Sequence, residues 1–368
     1  MFLKRVLPAV FGLILVGCNQ DDEPGLIQEE LSPTNFSVIG LTTESVFQYD
    51  YDATAESGEL TNLTLEIGVP VDYLTLRQTG NLLSFYTFGE GTFSLWLKNI
   101  ESGETDIYAD FFANSAGRSF AWGINDETNV FFGFFGPNGE RNLGIQDVVF
   151  SGDLDGDLII DENIDFTYQP LLFEDKIYLT YRDEVGNYKL TYYDTVSKTA
   201  SSIVNFGPVP ISIFTSELGE IVVIKNGANP TLELFDADSL VFIESKSLQF
   251  GTAFNQGPIY GAVFKDDKLY YAYPFVQPAL YDEGPAIFDL ATGENTIFDL
   301  AAIAQGVEAE LGVAIGITSQ IYDAAADVFL VGYASLGDDT TGGILQISTA
   351  GELIANISLP FFPNYIVL

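Results

Sequence analysis

RSFAWGINDETNVFFGFFG, residues 118–136, decides the fold. An apolar run, a short polar turn and a second run rich in aromatic and β-branched residues describe two strands joined by a hairpin. The same design recurs as DYLTLRQTGNLLSFYTF (72–88), YQPLLFEDKIYLTYRD (168–183), PISIFTSELGEIVVIKNG (210–227), IYGAVFKDDKLYYAYPF (259–275) and AIGITSQIYDAAADVFLVGYA (314–334). The turns centre near residues 79, 127, 175, 218, 266 and 325. Successive intervals are 48, 48, 43, 48 and 59 residues.

Most of these hairpins are followed by a second one with clear period-two alternation. Examples are SLWLKNIESGETDIY (94–108), KLTYYDTVSKTASSIV (189–204), LELFDADSLVFIESKSL (232–248), AIFDLATGENTIFDL (286–300) and GILQISTAGELIANISL (343–359). Four strands in each unit of this length are the pattern of a β-propeller blade. The two ends complete each other. NFSVIGLT (35–42) and ESVFQYDYDATAESGELTNLTLEI (44–67) supply a second, third and fourth strand but no first. PFFPNYIVL (360–368) resembles the first strand of the next unit, VPVDYLTL (69–76). The expectation is an all-β propeller over 35–368 with seven four-stranded blades, its ring closed by the C-terminal strand, which removes two exposed sheet edges. An open β-sandwich array and a different blade number are the alternatives.

Outside the repeats, residues 1–18 read MFLKRVLPAVFGLILVGC. Lys4 and Arg5 precede an apolar run, Val6–Val16, too short to span a membrane as a mature helix, which is the layout of a secretory signal. Leu15-Val16-Gly17-Cys18 resembles the lipobox of bacterial lipoproteins, which implies cleavage after residue 17 and a diacylglycerol on the Cys18 thiol. An ordinary signal peptide ending near a cysteine is the alternative. Asn19-Gln20-Asp21-Asp22-Glu23 resembles the acidic run of surface-exposed Bacteroidetes lipoproteins. Residues 18–34 then read as the lipidated cysteine and a flexible acidic tether, or as a charged linker with no sorting role.

Composition narrows the chemistry. The 368 residues carry 14 basic and 52 acidic side chains, a formal charge of -38, so nucleic acid is not an expected partner. Cys18 is the single cysteine, so no disulfide staples the mature chain. The absence of histidine removes Ser-His-Asp and Cys-His nucleophiles and His-ligated metals. There is no G-x-S-x-G elbow, Walker loop or sialidase-type Asp-box.

The first strand of each blade lines the channel of a propeller, and ligands of that fold usually bind at the face carrying the blade-to-blade connections. On that face the reading places Arg118 at the start of a first strand and Arg182 and Lys225 at the ends of second strands. The longest second-to-third loop, 274–285, carries Phe275 and Tyr281, with Tyr273 just before it. Aromatic faces with a few cations suit a ring-bearing or sugar ligand. Scattered surface charge and aromatic packing between blades are the alternative, and the better account of any single one of these residues. In SGDLDGDLIIDENID (151–165), Asp153, Asp155, Asp157 and Asp161 have the spacing of oxygen ligands for calcium and resemble the Asp-rich loops of integrin-type propellers. They depart from them in the glycine position, and an acidic Asp-Gly turn is the alternative.

The whole resembles Bacteroidetes surface lipoprotein propellers that work beside TonB-dependent outer-membrane transporters, some of which capture siderophores. That resemblance implies a monomeric propeller on the outer membrane, anchored through its lipid, holding a siderophore-like small molecule or a glycan for uptake. A cell-surface interaction scaffold and a carbohydrate-active enzyme using Asp or Glu are the competing functions.

Overall fold

Alternation in the hairpin Ser119–Asn125 and Asn129–Phe135, broken by a bulge between Phe120 and Trp122, sends neighbouring side chains to opposite faces of one blade, and so into two different interfaces. Phe132 and Phe134 pack toward the preceding blade, whereas Phe131 packs toward the following one. A strand buried on both faces explains why these segments are almost continuously apolar. The computed structural model describes residues 32–114, 117–160, 162–249, 254–337 and 340–367, with the side chain of residue 138 left aside. Cys18 and the segment up to residue 31 lie outside the described residues.

Among the described residues, seven antiparallel sheets follow one another around a ring. Blade 1 comprises Phe36–Leu41, Val46–Asp52 and Ser57–Asn62, with Phe362–Val367 as its innermost strand. Blade 2 spans Thr75–Thr79 to Thr105–Ala113, and blade 3 spans Ser119–Asn125 to Leu154–Ile160. In blade 4 the inner position is shared by Ile164–Thr167 and Leu171–Phe173. Blade 5 spans Ile211–Thr215 to Phe242–Ser247 and gains a short parallel strand, Gly257–Pro258, against its first strand. Blade 6 spans Val263–Lys265 to Glu294–Ile297, and blade 7 spans Ile315–Asp323 to Leu353–Leu359.

The closure foreseen from the two ends is present. Ser37 pairs with Val367 and Val38 with Ile366, antiparallel, with a bulge between Ile39 and Gly40. Alternation on the closing strand puts Ile366 into the core between blades 7 and 1, and Val367 into the core between blades 1 and 2. One strand therefore contributes to two interfaces. The core as a whole is seven such clusters, one between each adjacent pair of blades.

A 12-residue helix, Leu300–Leu311, interrupts the connection from blade 6 to blade 7. The Asp299 carboxylate caps its start by accepting the Ala302 N–H at 3.0 Å, and Gly312 ends it in the left-handed region at φ 73°. Leu300, Ala304 and Val307 turn one face into the core between blades 6 and 7. The 59-residue interval between the last two repeats contains this helix, which strand periodicity alone does not announce.

Candidate functional site

The inner strands leave a channel with a cavity of about 480 Å³. Leu76, Arg77 and Gln78 enter it from blade 2, Ser319, Gln320 and Ile321 from blade 7, and Asn364 and Tyr365 from the closing strand. Tyr260, just before blade 6, and Glu283, at the start of that blade's third strand, complete the parts used below. The volume lies within the range of small-molecule sites.

Arg77 is the cation of this cavity. Its Nε donates to the Gly123 carbonyl at 3.3 Å, a guanidinium nitrogen donates to Gln169 Oε1, and it makes no ion pair among the described residues. Nearby hydroxyls and amides offer both donors and acceptors. The Tyr365 hydroxyl lies 3.4 Å from Gln78 Oε1, and burial pushes its pKa up to about 12, so it stays protonated and able to donate at neutral pH. Both amide atoms of Gln320 and the Ser319 hydroxyl are shielded and lack a hydrogen-bond partner among the described residues. Each such group costs about 1–3 kcal/mol until something satisfies it. Burial, with the Asp282 charge adding to it, raises the Glu283 pKa.

Glu283 also borders a second cavity of about 550 Å³ at the channel mouth, between the 275–282 loop and the helix–strand junction of blade 7. Tyr281 lines this mouth pocket. Tyr273 and Phe275 pack instead. Tyr273 meets Phe275 edge-on with centroids 5.8 Å apart, and Phe275 lies over Gly284 against the core between blades 6 and 7.

Arg118 directly precedes the first strand of blade 3, and Arg182 and Lys225 stand at the ends of the second strands Lys176–Asp183 and Ile221–Lys225, but each is engaged on its own blade. The Arg118 guanidinium stacks 4.4 Å from the Phe134 ring centre, and burial there lowers its pKa against the opposing pull of Asp157. Arg182 pairs with Asp165, and Lys225 with Glu233 at 3.1 Å. They are not brought together around either cavity. Arg77, Gln320 and Glu283 were not singled out by sequence reasoning. The signal for Arg77 is its place in LTLRQTG, inside a first strand, where a charged residue must face the channel or be buried.

Among the described residues, Asp153, Asp155 and Asp157 are not gathered around one point. The turn ends at Asp153, and Asp155 and Asp157 stand on the strand Leu154–Ile160. A bulge opposite Asp147 and Val148 breaks the alternation that would have aligned them. Asp155 accepts from Lys198 Nζ of blade 4 at 2.9 Å and from Asn129 at 3.0 Å, which lowers its pKa. Asp157 instead acts on Arg118. Asp153 accepts from the Ser151 hydroxyl at 3.2 Å, and residue 161 lies outside the described residues. Among the described residues no three His, Cys, Asp or Glu side chains are placed to hold a metal ion. A lysine ammonium occupies the position between Asp147 and Asp155.

No protein-family profile and no curated protein matches the chain. Solved structures do. A puromycin hydrolase superposes with a TM-score of 0.52 at 12% identity over 89% of this chain and 55% of that one. The periplasmic gluconolactonase of Pseudomonas aeruginosa superposes with a TM-score of 0.52 at 10% identity over 90% of this chain and 98% of that one. This chain thus spans about half the length of the puromycin hydrolase it matches. At such identities the likeness shows the propeller fold alone.

Proposed function

We propose that the chain is an exported, lipid-anchored binding protein that holds a small polyhydroxylated ligand in its channel and serves an outer-membrane uptake system. The observation that carries this reading is the channel cavity itself, with Arg77 free of any ion pair among the described residues and the Gln320 amide without a partner. Amides, phenols and one guanidinium match the alternating donors and acceptors of a sugar or sugar acid. A tris-anionic ferric siderophore would call for several cations, and Arg77 is the one that lines this cavity among the described residues. Two-carboxylate hydrolysis needs a second acid facing the first, and Glu283 is the one carboxylate described in the channel lining.

The test is calorimetric titration of the lipidated chain in detergent with neutral sugars, aldonic acids and a ferric catecholate. Binding of a sugar or sugar acid that falls about tenfold or more in Arg77→Ala or Gln320→Ala supports the reading. Binding of the ferric complex alone replaces it. Detergent partitioning of a Cys18→Ala chain tests the anchor, and co-purification of a TonB-dependent transporter tests the uptake role.

A further inference from the structure

The mouth pocket has a chemistry of its own. Asp282 and Glu283 come from the second-to-third loop of blade 6, and Glu308 comes from the helix Leu300–Leu311. Among the described residues, no lysine or arginine lines it. Glu308 is held in place, since its Oε1 accepts the Ile315 N–H at 2.9 Å and ties the helix to the first strand of blade 7. Asp282 is positioned by Gln277, whose Nε2 donates to it at 2.9 Å.

A cluster of acids alone is a solvated surface. Tyr281 makes this one different. Tyr281 lines the same pocket and is 7% exposed, and its hydroxyl, within reach of the Glu308 charge, is shielded and has no hydrogen-bond partner among the described residues. Its pKa is raised by burial and by the Glu308 charge, so the hydroxyl is neutral at physiological pH and has lone pairs to offer. The remaining wall includes Leu280, Ile315, Ile317 and Leu336.

These groups select a ligand class. Three carboxylates without an internal cation call for positive charge. They are not gathered closely enough to enclose a metal ion. An unpartnered phenol oxygen accepts an N–H, and the apolar wall accepts a hydrocarbon body. We infer that the mouth pocket binds the protonated primary amine of a small organic cation, with Glu308, Asp282 and Glu283 supplying the counter-charge and the Tyr281 hydroxyl accepting one ammonium hydrogen. The site meets the channel site at Glu283, which borders both cavities, but it contains neither Arg77 nor Gln320 and does not depend on what the channel holds.

The experiment is isothermal titration of the full lipidated chain in detergent at 150 mM NaCl. The probes are n-butylamine and 1,4-diaminobutane, with 1-butanol and calcium chloride as controls. The amines bind and 1-butanol does not. Glu308→Gln and the double variant Asp282→Asn/Glu283→Gln each weaken amine binding about tenfold or more, and Tyr281→Phe about threefold or more. Thr318→Lys sets an ammonium at the same wall and abolishes binding while leaving the thermal midpoint unchanged, which guards against loss of fold. Arg77→Ala leaves amine binding intact, so failure here is distinguishable from failure of the channel reading. Equal amine affinity in all these variants would mean general attraction to an acidic body and would overturn the assignment. Calcium that displaces the amine stoichiometrically would overturn it as well.

Discussion

Replacing Gly40 by alanine tests the closure of the ring at its tightest point. Gly40 lies opposite Pro363 at the bulge where the N-terminal and C-terminal strands meet. A methyl group on Gly40 would run into the Phe361 ring and the Phe362 carbonyl oxygen. A ring can rotate away, but a backbone oxygen moves only if the closing strand moves with it. Overpacking of this kind costs about 1–3 kcal/mol, and the backbone contact puts this case at the upper end. With an unfolding entropy near 2.1 cal/mol/K per residue over the unit Pro33–Leu368, about 3 kcal/mol lowers the thermal midpoint by roughly 4 °C. Scanning calorimetry reads this directly. Gly89→Ala is the control, because a methyl group there meets nothing within 4 Å and should cause no loss. Phe361→Ala alone removes a fully buried ring stacked 5.7 Å from Phe47 and costs about 3–5 kcal/mol. It also removes half of the Gly40→Ala clash, so the double variant is less than additive. A Gly40→Ala chain that melts with the Gly89→Ala control, or strict additivity with Phe361→Ala, would refute the closure geometry.

Three other outcomes follow from the same packing. Lys198→Met leaves the fully buried Asp147 without the ammonium that it shares with Asp155 and costs about 3 kcal/mol in urea unfolding. Adding Asp147→Asn recovers much of that loss. Glu283 holds its proton above the ordinary glutamate value of 4.5, so the folded state binds that proton more tightly than the unfolded chain does. Its contribution is complete below 4.5 and is lost as pH rises through the folded value. Glu283→Gln therefore matches the parent midpoint at pH 4 and exceeds it at pH 7, and equal midpoints at both pH values would contradict this. Asp299→Ala removes the cap of the helix Leu300–Leu311, lowers stability by about 1 kcal/mol and weakens amine binding at the mouth pocket that this helix walls.

The ring was readable because each blade repeats one physical problem, a strand that must bury both faces, and solves it with the same alternation. PFFPNYIVL supplies the innermost strand of blade 1, Phe362–Val367, whereas of VPVDYLTL only Thr75 and Leu76 stand on the first strand of blade 2, Thr75–Thr79. The helix Leu300–Leu311 carried visible signals in Asp299 and Gly312, yet a reading tuned to period two passes over them. The longer last interval was the trace it left. Site residues were less legible for a different reason. Arg118 and Arg77 look alike in the sequence, but the Phe134 ring holds Arg118 on its own blade while Arg77 lines the channel cavity. The aspartates 153, 155 and 157 look aligned only while the strand is regular, and the bulge at Asp147 and Val148 separates them. A bulge between Ile317 and Ser319 likewise shapes the wall that carries Gln320.

The placement of the basic residues gives the two cavities opposite responses to salt. Lys198 ties blade 4 to blade 3, Lys176 ties blade 4 to Asp238 of blade 5 at 2.7 Å, and Lys265 reaches Glu217 of blade 5 from blade 6 at 3.5 Å. These cations are spent on interblade latches, and the exterior of a chain at -38 is left acidic. An anionic sugar approaching Arg77 must cross that field, whereas an amine approaching the mouth pocket is drawn by it. Raising the salt from 0.01 to 0.15 M shortens the screening length from about 30 to 8 Å and removes most of both effects. Stopped-flow association of an aldonic acid should therefore quicken with salt, and that of 1,4-diaminobutane should slow. A neutral sugar of the same size should be indifferent. If all three probes change in the same direction, the acidic body does not gate the two sites, and the separation of Arg77 from the carboxylates at the mouth has no bearing on selectivity.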